Sequence, residues 1–372
     1  MADVSLNHLT RSFATAPPAG VFDLSLNVAD GEMLAVVGPS GAGKTTLLRL
    51  IAGLEAPDSG AISIARKDVT RLPPHDRDIG ILAQRAAIYP HLSVQRNLSI
   101  GLEMSRASVS RPEMERRVQH AIKLLGLGDI LDRRANELSG GERQRVALGR
   151  LMVRRPAVWL LDEPFVHLEL ARKTEFRQQL HLLRDQLPTT IIIVTHDPVE
   201  AQTLGQRLAV LQGGRLRQVD SPAAIYARPL DRFVAELLAW PGLNLAYGIL
   251  VRSGEPDKGL LFAAANGSFR LPVPAELATH GAAGQPVTVG IRPEDVQAVA
   301  ASPSTRDGSA HLPGWRVRLA EFVAPQWLIT AERDDLRWFF WSAAPPPRGE
   351  TVDLAIAPAR VHWFDGNTGM RM

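Results

Sequence analysis

Residues 38–46 read Gly38-Pro39-Ser40-Gly41-Ala42-Gly43-Lys44-Thr45-Thr46. This is a loop of the form G-x-x-x-x-G-K-[ST], whose backbone N–H groups cradle phosphates. Ala35, Val36 and Val37 precede it as a short buried-type strand, and residues 45–51 follow as an apolar-rich helix. That strand–loop–helix context separates the motif from an ordinary glycine-rich turn. Gly38, Gly41 and Gly43 let the backbone curl until its N–H groups face one point. The helix N-terminus adds positive potential there. Lys44 offers a point charge for the β- and γ-phosphates of ATP, and Thr45 offers a hydroxyl to Mg2+.

Two further strands carry polar ends. Val158-Trp159-Leu160-Leu161-Asp162-Glu163-Pro164 is an apolar strand ending in two acids. A carboxylate at a strand end beside a phosphate loop is where Mg2+ is held, which makes Asp162 the expected metal ligand. Glu163 is then placed to polarise an attacking water as general base. Residues 190–197 form another apolar strand that ends in Thr195-His196-Asp197. A lone histidine at a strand end is more often structural. Here it follows the acid pair at the same edge of an expected parallel sheet, where ligands sit, and His196 is expected to reach the γ-phosphate. Leu138-Ser139-Gly140-Gly141-Glu142 opens a helix. Ser139 is a good N-cap, and Glu142 three residues on completes a capping box. Val146, Leu148, Leu151 and Met152 continue in helical register. The phosphate loop already cradles the nucleotide bound by its own chain. A second anion-binding helix start therefore suits ATP held by another copy.

The ordered set 38–46, Gln84, 138–142, Asp162–Glu163 and His196 resembles the ATP-binding subunit of an ABC transporter. The resemblance implies more roles. Gln84 matches a loop that senses Mg2+ and links the site to the membrane partner. Ser139, Gly140 and Gly141 match the signature that contacts the γ-phosphate of the opposite subunit. Phe13 matches the aromatic that stacks on adenine. Tyr89-Pro90-His91-Leu92-Ser93-Val94 and Asn97-Leu98 resemble the segment near the membrane partner, and residues 229–235 the end of the ATPase domain. Residues 290–296 and 363–369 look like the accessory (TOBE-like) C-terminal domain of sugar and glycerol-phosphate importers. The implied assembly is a homodimer beneath two transmembrane permease subunits, served by a solute-binding protein, at the cytoplasmic face of the plasma (inner) membrane.

The chain departs from that family at a few places. After Pro164 it reads Phe165-Val166-His167-Leu168-Glu169, where serine and aspartate are usual at 166 and 169. This loop normally crosses the dimer interface, so the rate and cooperativity of hydrolysis are in question while ATP binding is not. Ala83 stands where a bulky aromatic is usual, and Trp159 is large for a central strand.

Composition agrees with a peripheral protein in a reducing compartment. The net charge of +3 on 372 residues suggests no general nucleic-acid surface. The chain has no cysteine, which excludes disulfides and thiolate metal sites. The N-terminus lacks the pattern of a signal peptide, and no apolar run approaches the roughly 20 residues needed to span a bilayer.

The expected fold is an α/β P-loop ATPase domain over 1–238, with an inserted helical subdomain at about 86–155. A small all-β, OB-like domain over 239–372 follows. Pro112 through Leu127 carries Met114, Val118, Ile122 and Leu125 at helical spacing, with Arg111, Arg116 and Arg117 on its solvated face. Short β-type runs at 245–251, 286–291 and 316–319 mark the second domain. Trp338-Phe339-Phe340-Trp341 is expected to be core strand, not a ligand-stacking platform. The function expected is ATP hydrolysis driving solute import, for a carbohydrate or glycerol 3-phosphate. The alternatives are another solute (a polyamine, an inorganic anion or iron), a non-transport ABC ATPase of repair or translation, and a regulatory ABC protein that binds ATP without turnover.

Overall fold

In a computed structural model, the residues described are 2–14, 19–83, 87–103, 109–166, 170–186, 189–253, 259–279, 281–299 and 310–372. The chain separates into two compact units, Met1–Ile225 and Tyr226–Met372.

The first unit runs β1 (Val4–Phe13), β2 (Ala19–Val28), β3 (Met33–Val37), α1 (Lys44–Ala52), β4 (Ser59–Ile64), β5 (Lys67–Asp68) and β6 (Ile79–Leu82). Three helices follow: α2 (Val94–Glu103), α3 (Arg111–Leu125) and α4 (Gly140–Arg154). It then alternates β7 (Val158–Asp162), α5 (Leu170–Gln186), β8 (Thr190–Thr195), α6 (Pro198–Leu204), β9 (Arg207–Gln212) and β10 (Arg215–Asp220), and α7 (Pro222–Ala227) runs across the division between the units.

A six-stranded sheet has the order β10-β9-β3-β8-β7-β6. Its central strands β9, β3, β8, β7 and β6 are parallel. They read as unbroken apolar runs because both faces are covered. Successive side chains alternate between two cores. Trp159, Leu161, Ile191 and Ile193 join the core shared with α2, α3 and α4. Val158, Leu160, Ile192 and Val194 join the core shared with α1 and the antiparallel sheet β2-β1-β4-β5. Trp159 is fully buried on the helical side, so a large residue there fills space between sheet and helices. Each such apolar side chain contributes about 1.5–3 kcal/mol on burial.

The second unit contains α8 (Arg232–Leu237), β11 (Asn244–Arg252), β12 (Leu260–Ala264), β13 (Arg270–Pro272), α9 (Ala275–Ala278), β14 (Pro286–Ile291) and β15 (Val296–Val299). It continues with β16 (Ala310–Val323), β17 (Gln326–Arg333), β18 (Leu336–Ser342), β19 (Thr351–Ile356) and β20 (His362–Asp365). Two antiparallel five-stranded sheets, β13-β12-β11-β14-β20 and β15-β19-β16-β17-β18, enclose one core. On β18 the alternation buries Trp338 and Phe340. Trp338 stacks on Trp315 with ring centroids 4.6 Å apart, and its indole donates to the carbonyl of Leu245 at 3.1 Å. The run is therefore core strand only at Trp338 and Phe340: Phe339 and Trp341 lie half-buried on the opposite face, where Trp341 stacks on the exposed Trp240.

Candidate active site

The C-terminal ends of β3, β7 and β8 lie level, because Val37 pairs with Thr195 and Asp162 with Val194. This edge receives the phosphate loop and both polar strand ends. The loop turns back tightly on itself. Gly43 has φ 97°, and a Cβ there would stand 2.5 Å from the carbonyl oxygen of Gly20. A Cβ on Gly38 would stand 2.3 Å from the carbonyl of Leu211. Any other residue at 43 is excluded by both conformation and space. Pro39, Ser40 and Gly41 are exposed at the loop crest, and Ala42 is buried beneath. Gly43 precedes Lys44 at the start of α1, with Thr45 and Thr46 in the first turn, and no side chain caps this end. Its free N–H groups are therefore available to an anion.

Lys44 is only 6% exposed. Its ammonium donates to the carbonyls of Gly38 at 2.8 Å and Pro39 at 2.9 Å. Burial lowers its pKa from the usual lysine value, while Glu163 and Asp162 oppose that shift. Asp162 is pushed the other way, first by burial and also by the neighbouring Glu163 carboxylate, against the hydrogen bond from Thr45. Thr45 Oγ1 donates to Asp162 Oδ1 at 3.3 Å. The site thus sets a carboxylate whose ionised form burial disfavours beside an exposed hydroxyl, both hard oxygen donors. That donor set fits Mg2+.

Glu163 adopts φ 47°, a strained backbone for a residue with a side chain. Its N–H donates to the Val194 carbonyl at 2.9 Å. Oε1 of Glu163 lies 3.1 Å from Nδ1 of His196. His196 is itself placed by the turn into α6. Thr195 Oγ1 donates to the buried Glu200 at 2.7 Å and accepts from the N–H of Asp197 at 3.1 Å. Lys44, Thr45, Asp162, Glu163 and His196 therefore gather at one sheet edge.

Ser139 caps α4 in both directions. Its hydroxyl accepts from the N–H of Glu142 at 3.3 Å, and its own N–H donates to Glu142 Oε2 at 2.7 Å. Those bonds hold the Glu142 carboxyl below the usual range, the Ser139 backbone contributing most. Gly140 and Gly141 form the first turn of α4. Phe13 ends β1 and is half-buried. Gln84 lies outside the described residues, as do His167, Leu168 and Glu169. Val166 is described and 37% exposed.

One contact was not anticipated. Gln144 is buried on α4 and its amide donates to the carbonyl of Pro164, next to Glu163. The signal was present: Gln144 falls four residues before Leu148, a polar residue on the apolar stripe of the helix. Asn97 is similarly placed. Its side chain accepts from the Tyr89 N–H at 2.8 Å and donates to the carbonyls of Tyr89, Leu92 and Ser93.

A phosphate loop, a strand-end acid pair and a parallel sheet define a P-loop ATPase. Comparisons with known proteins narrow this. Residues 21–166 match the ABC transporter family model and residues 241–296 the MalK OB fold domain. The chain is 40% identical to the sn-glycerol-3-phosphate import ATP-binding protein UgpC of Salmonella choleraesuis, with 100% of each covered. It is 39% identical to the diacetylchitobiose uptake system ATP-binding protein MsiK of Streptomyces coelicolor, again with 100% of each covered. Among solved structures, the dimeric bacterial ABC transporter cassette MJ0796 matches with a TM-score of 0.54 and 27% identity. That match covers 59% of this chain and 98% of the other. A post-hydrolysis dimer of the same cassette, bound to ADP and Pi, matches with a TM-score of 0.53. The chain belongs to the ABC transporter family, as an ATP-binding, ATP-hydrolysing subunit of the importer type, with a MalK-type OB domain behind its ATPase unit. Such a subunit acts with membrane components, and no helix among the described residues is long and apolar enough to cross a membrane.

Proposed function

We propose that this chain energises import of a carbohydrate or glycerol 3-phosphate. It would work as a homodimer beneath two transmembrane permease subunits fed by a solute-binding protein, peripheral at the cytoplasmic face of the plasma (inner) membrane. The observation that carries this is the end-to-end match to UgpC and MsiK, combined with the gathering of Lys44, Asp162, Glu163 and His196 at one edge. The functional division we propose is 1–238 for ATP turnover and 239–372 for the accessory domain.

ATP enters with its phosphates over the N–H groups of residues 38–46, and Lys44 turns from its two carbonyls to the β- and γ-phosphates. Phe13 stacks on the adenine. Thr45 and Asp162, with Gln84, would hold Mg2+, which would supply charge neutralisation at the phosphates. Glu163 takes a proton from the attacking water. His196 sits against that carboxylate and faces the γ-phosphate, so one side chain orients the base and senses the leaving phosphoryl group. Ser139 and Gly141 of a second copy close over the same γ-phosphate, their helix start supplying N–H donors to the anion. Hydrolysis removes that anion and the dimer reopens.

Mixed dimers test the shared site. Ser139→Arg and Lys44→Ala are each expected to abolish cooperative turnover as homodimers. When mixed, one intact composite site forms per heterodimer and part of the activity returns. A mixture as inactive as either parent would refute the shared site. Solute assignment is tested by transport: deleting the gene should abolish uptake of a labelled glycoside or of glycerol 3-phosphate, and loss of uptake of only another solute class would overturn it.

A further inference from the structure

The guanidinium of Arg11 lies over the Phe13 ring, 5.1 Å from its centroid. Residues 11 and 13 share a face of β1 because strand side chains alternate. Arg11 is tethered from the opposite direction. Nη1 donates to Asp58 Oδ1 at 2.8 Å, and Nη2 donates to Glu55 Oε2 at 3.4 Å. Asp58 is fixed in turn: its Oδ2 accepts from the N–H of Ser12 at 2.8 Å, and its N–H donates to the Thr10 carbonyl at 2.8 Å. The Ser12 N–H first, and then Arg11, hold the Asp58 carboxyl below its usual range. The Nε of Arg11 is buried with no hydrogen bond among the described residues. Two ion pairs and the aromatic face therefore hold this guanidinium.

Two acids converging on one partly exposed arginine add little to stability. Their consequence is geometric. A cation held against an aromatic ring fixes that ring and occupies one of its faces. We propose that Arg11, clamped by Asp58 and Glu55, is a positioning residue for Phe13, backing one face of the ring so that the adenine of ATP stacks on the other. The proposal rests on the assignment of Phe13 to the base. Arg11 acts on base recognition and leaves phosphate binding untouched.

The experiment compares the full-length chain binding MgATP with the same chain binding magnesium tripolyphosphate, which has no base to stack. Arg11→Ala is expected to raise the Kd for MgATP by roughly two- to fivefold, with the tripolyphosphate Kd unchanged. Asp58→Asn should give a smaller loss of the same kind, and Arg11→Lys should recover part of it. Phe13→Ala should weaken MgATP alone, and adding Arg11→Ala to it should cost nothing more, since the clamp then has no ring to hold. Equal weakening of both ligands by Arg11→Ala would show a general loss of structure and overturn the proposal. So would tighter MgATP binding, which would place Arg11 on the face the base needs. If Phe13→Ala weakens MgATP while Arg11→Ala does not, the clamp fails and the assignment of Phe13 stands. If Phe13→Ala leaves MgATP binding unchanged, the assignment and the clamp fail together.

Discussion

Lys44 in the first unit and Arg292 in the second are both buried cations whose pKa burial lowers, but they are completed differently. Lys44 donates to two backbone carbonyls and has two carboxylates nearby that raise its charge preference. Arg292, 2% exposed, lies 3.3 Å over the Tyr226 ring and donates to the Tyr226 carbonyl at 2.7 Å. Tyr226 in turn donates its hydroxyl to Glu294. Burial and that acid push the phenol up to about 12. The arginine packs against the protein's own ring, with the charges of Glu294 and Asp295 near enough to favour its ionised form. The lysine cluster lies beside the loop and helix-start N–H groups, an arrangement of donors that suits an anion. Substitutions in the first should change chemistry at little cost in stability, and substitutions in the second the reverse.

The largest expected effect is at Glu163, the proposed base. Glu163→Gln should lower kcat by about 10^2- to 10^4-fold, with the MgATP Kd and the melting temperature nearly unchanged and ATP retained in a closed dimer. Steady-state hydrolysis and equilibrium binding measure this, and turnover within tenfold of wild type would remove Glu163 from its role. The mirror test is Trp338→Ala. It empties the stack with Trp315 and removes the indole hydrogen bond to the Leu245 carbonyl, and should cost about 3–5 kcal/mol in the second unit. Urea unfolding of the full chain should show that loss while MgATP affinity holds. A parallel loss of affinity would mean that the two regions are not separable in this way.

A third test uses pH. His362 is buried, and burial first, then Arg292 and Arg371, lower its pKa from 6.5 to about 4. The folded value lies below the unfolded one, so the neutral ring contributes stability that is fully present above pH 6.5. That stability is lost as pH falls from 6.5 towards 4, about 3 kcal/mol at most. His362→Phe should flatten this part of the stability profile, and an unchanged slope would locate the acid sensitivity elsewhere. The smallest effect concerns the loop after Glu163. Val166 has no hydroxyl to donate across a dimer interface. Val166→Ser with Glu169→Asp is expected to raise the maximal ATPase rate or its Hill coefficient modestly. Identical rate and cooperativity would make the departure neutral.

Much of the candidate site was legible in the chain because its geometry is local. A phosphate loop needs consecutive N–H groups, so residues 38–46 read as one word. The capping box of Ser139 and Glu142 closes within one turn. Alternation along β18 sends Trp338 and Phe340 into the core and leaves Phe339 and Trp341 half-buried on the other face. The residues that orient this machinery were not legible in the same way. Gln144 reaches Pro164, Arg11 reaches Asp58, and Glu163 meets His196. Each pair is separated in sequence and joined only by the packing of strands and helices. Motif spacing does not encode that.

By itself, then, the sequence determined which segments form the phosphate loop, the apolar parallel strands and the capped helix, because hydrogen-bond geometry and side-chain period act over a few residues. Tertiary structure alone decided that β3, β7 and β8 end level, which converts three separate motifs into one site. It alone placed Glu163 at φ 47° against His196, and it alone laid Arg11 over Phe13. Long-range pairing and the burial of charge are properties of the assembled core, where desolvation and distance set the balance of charges.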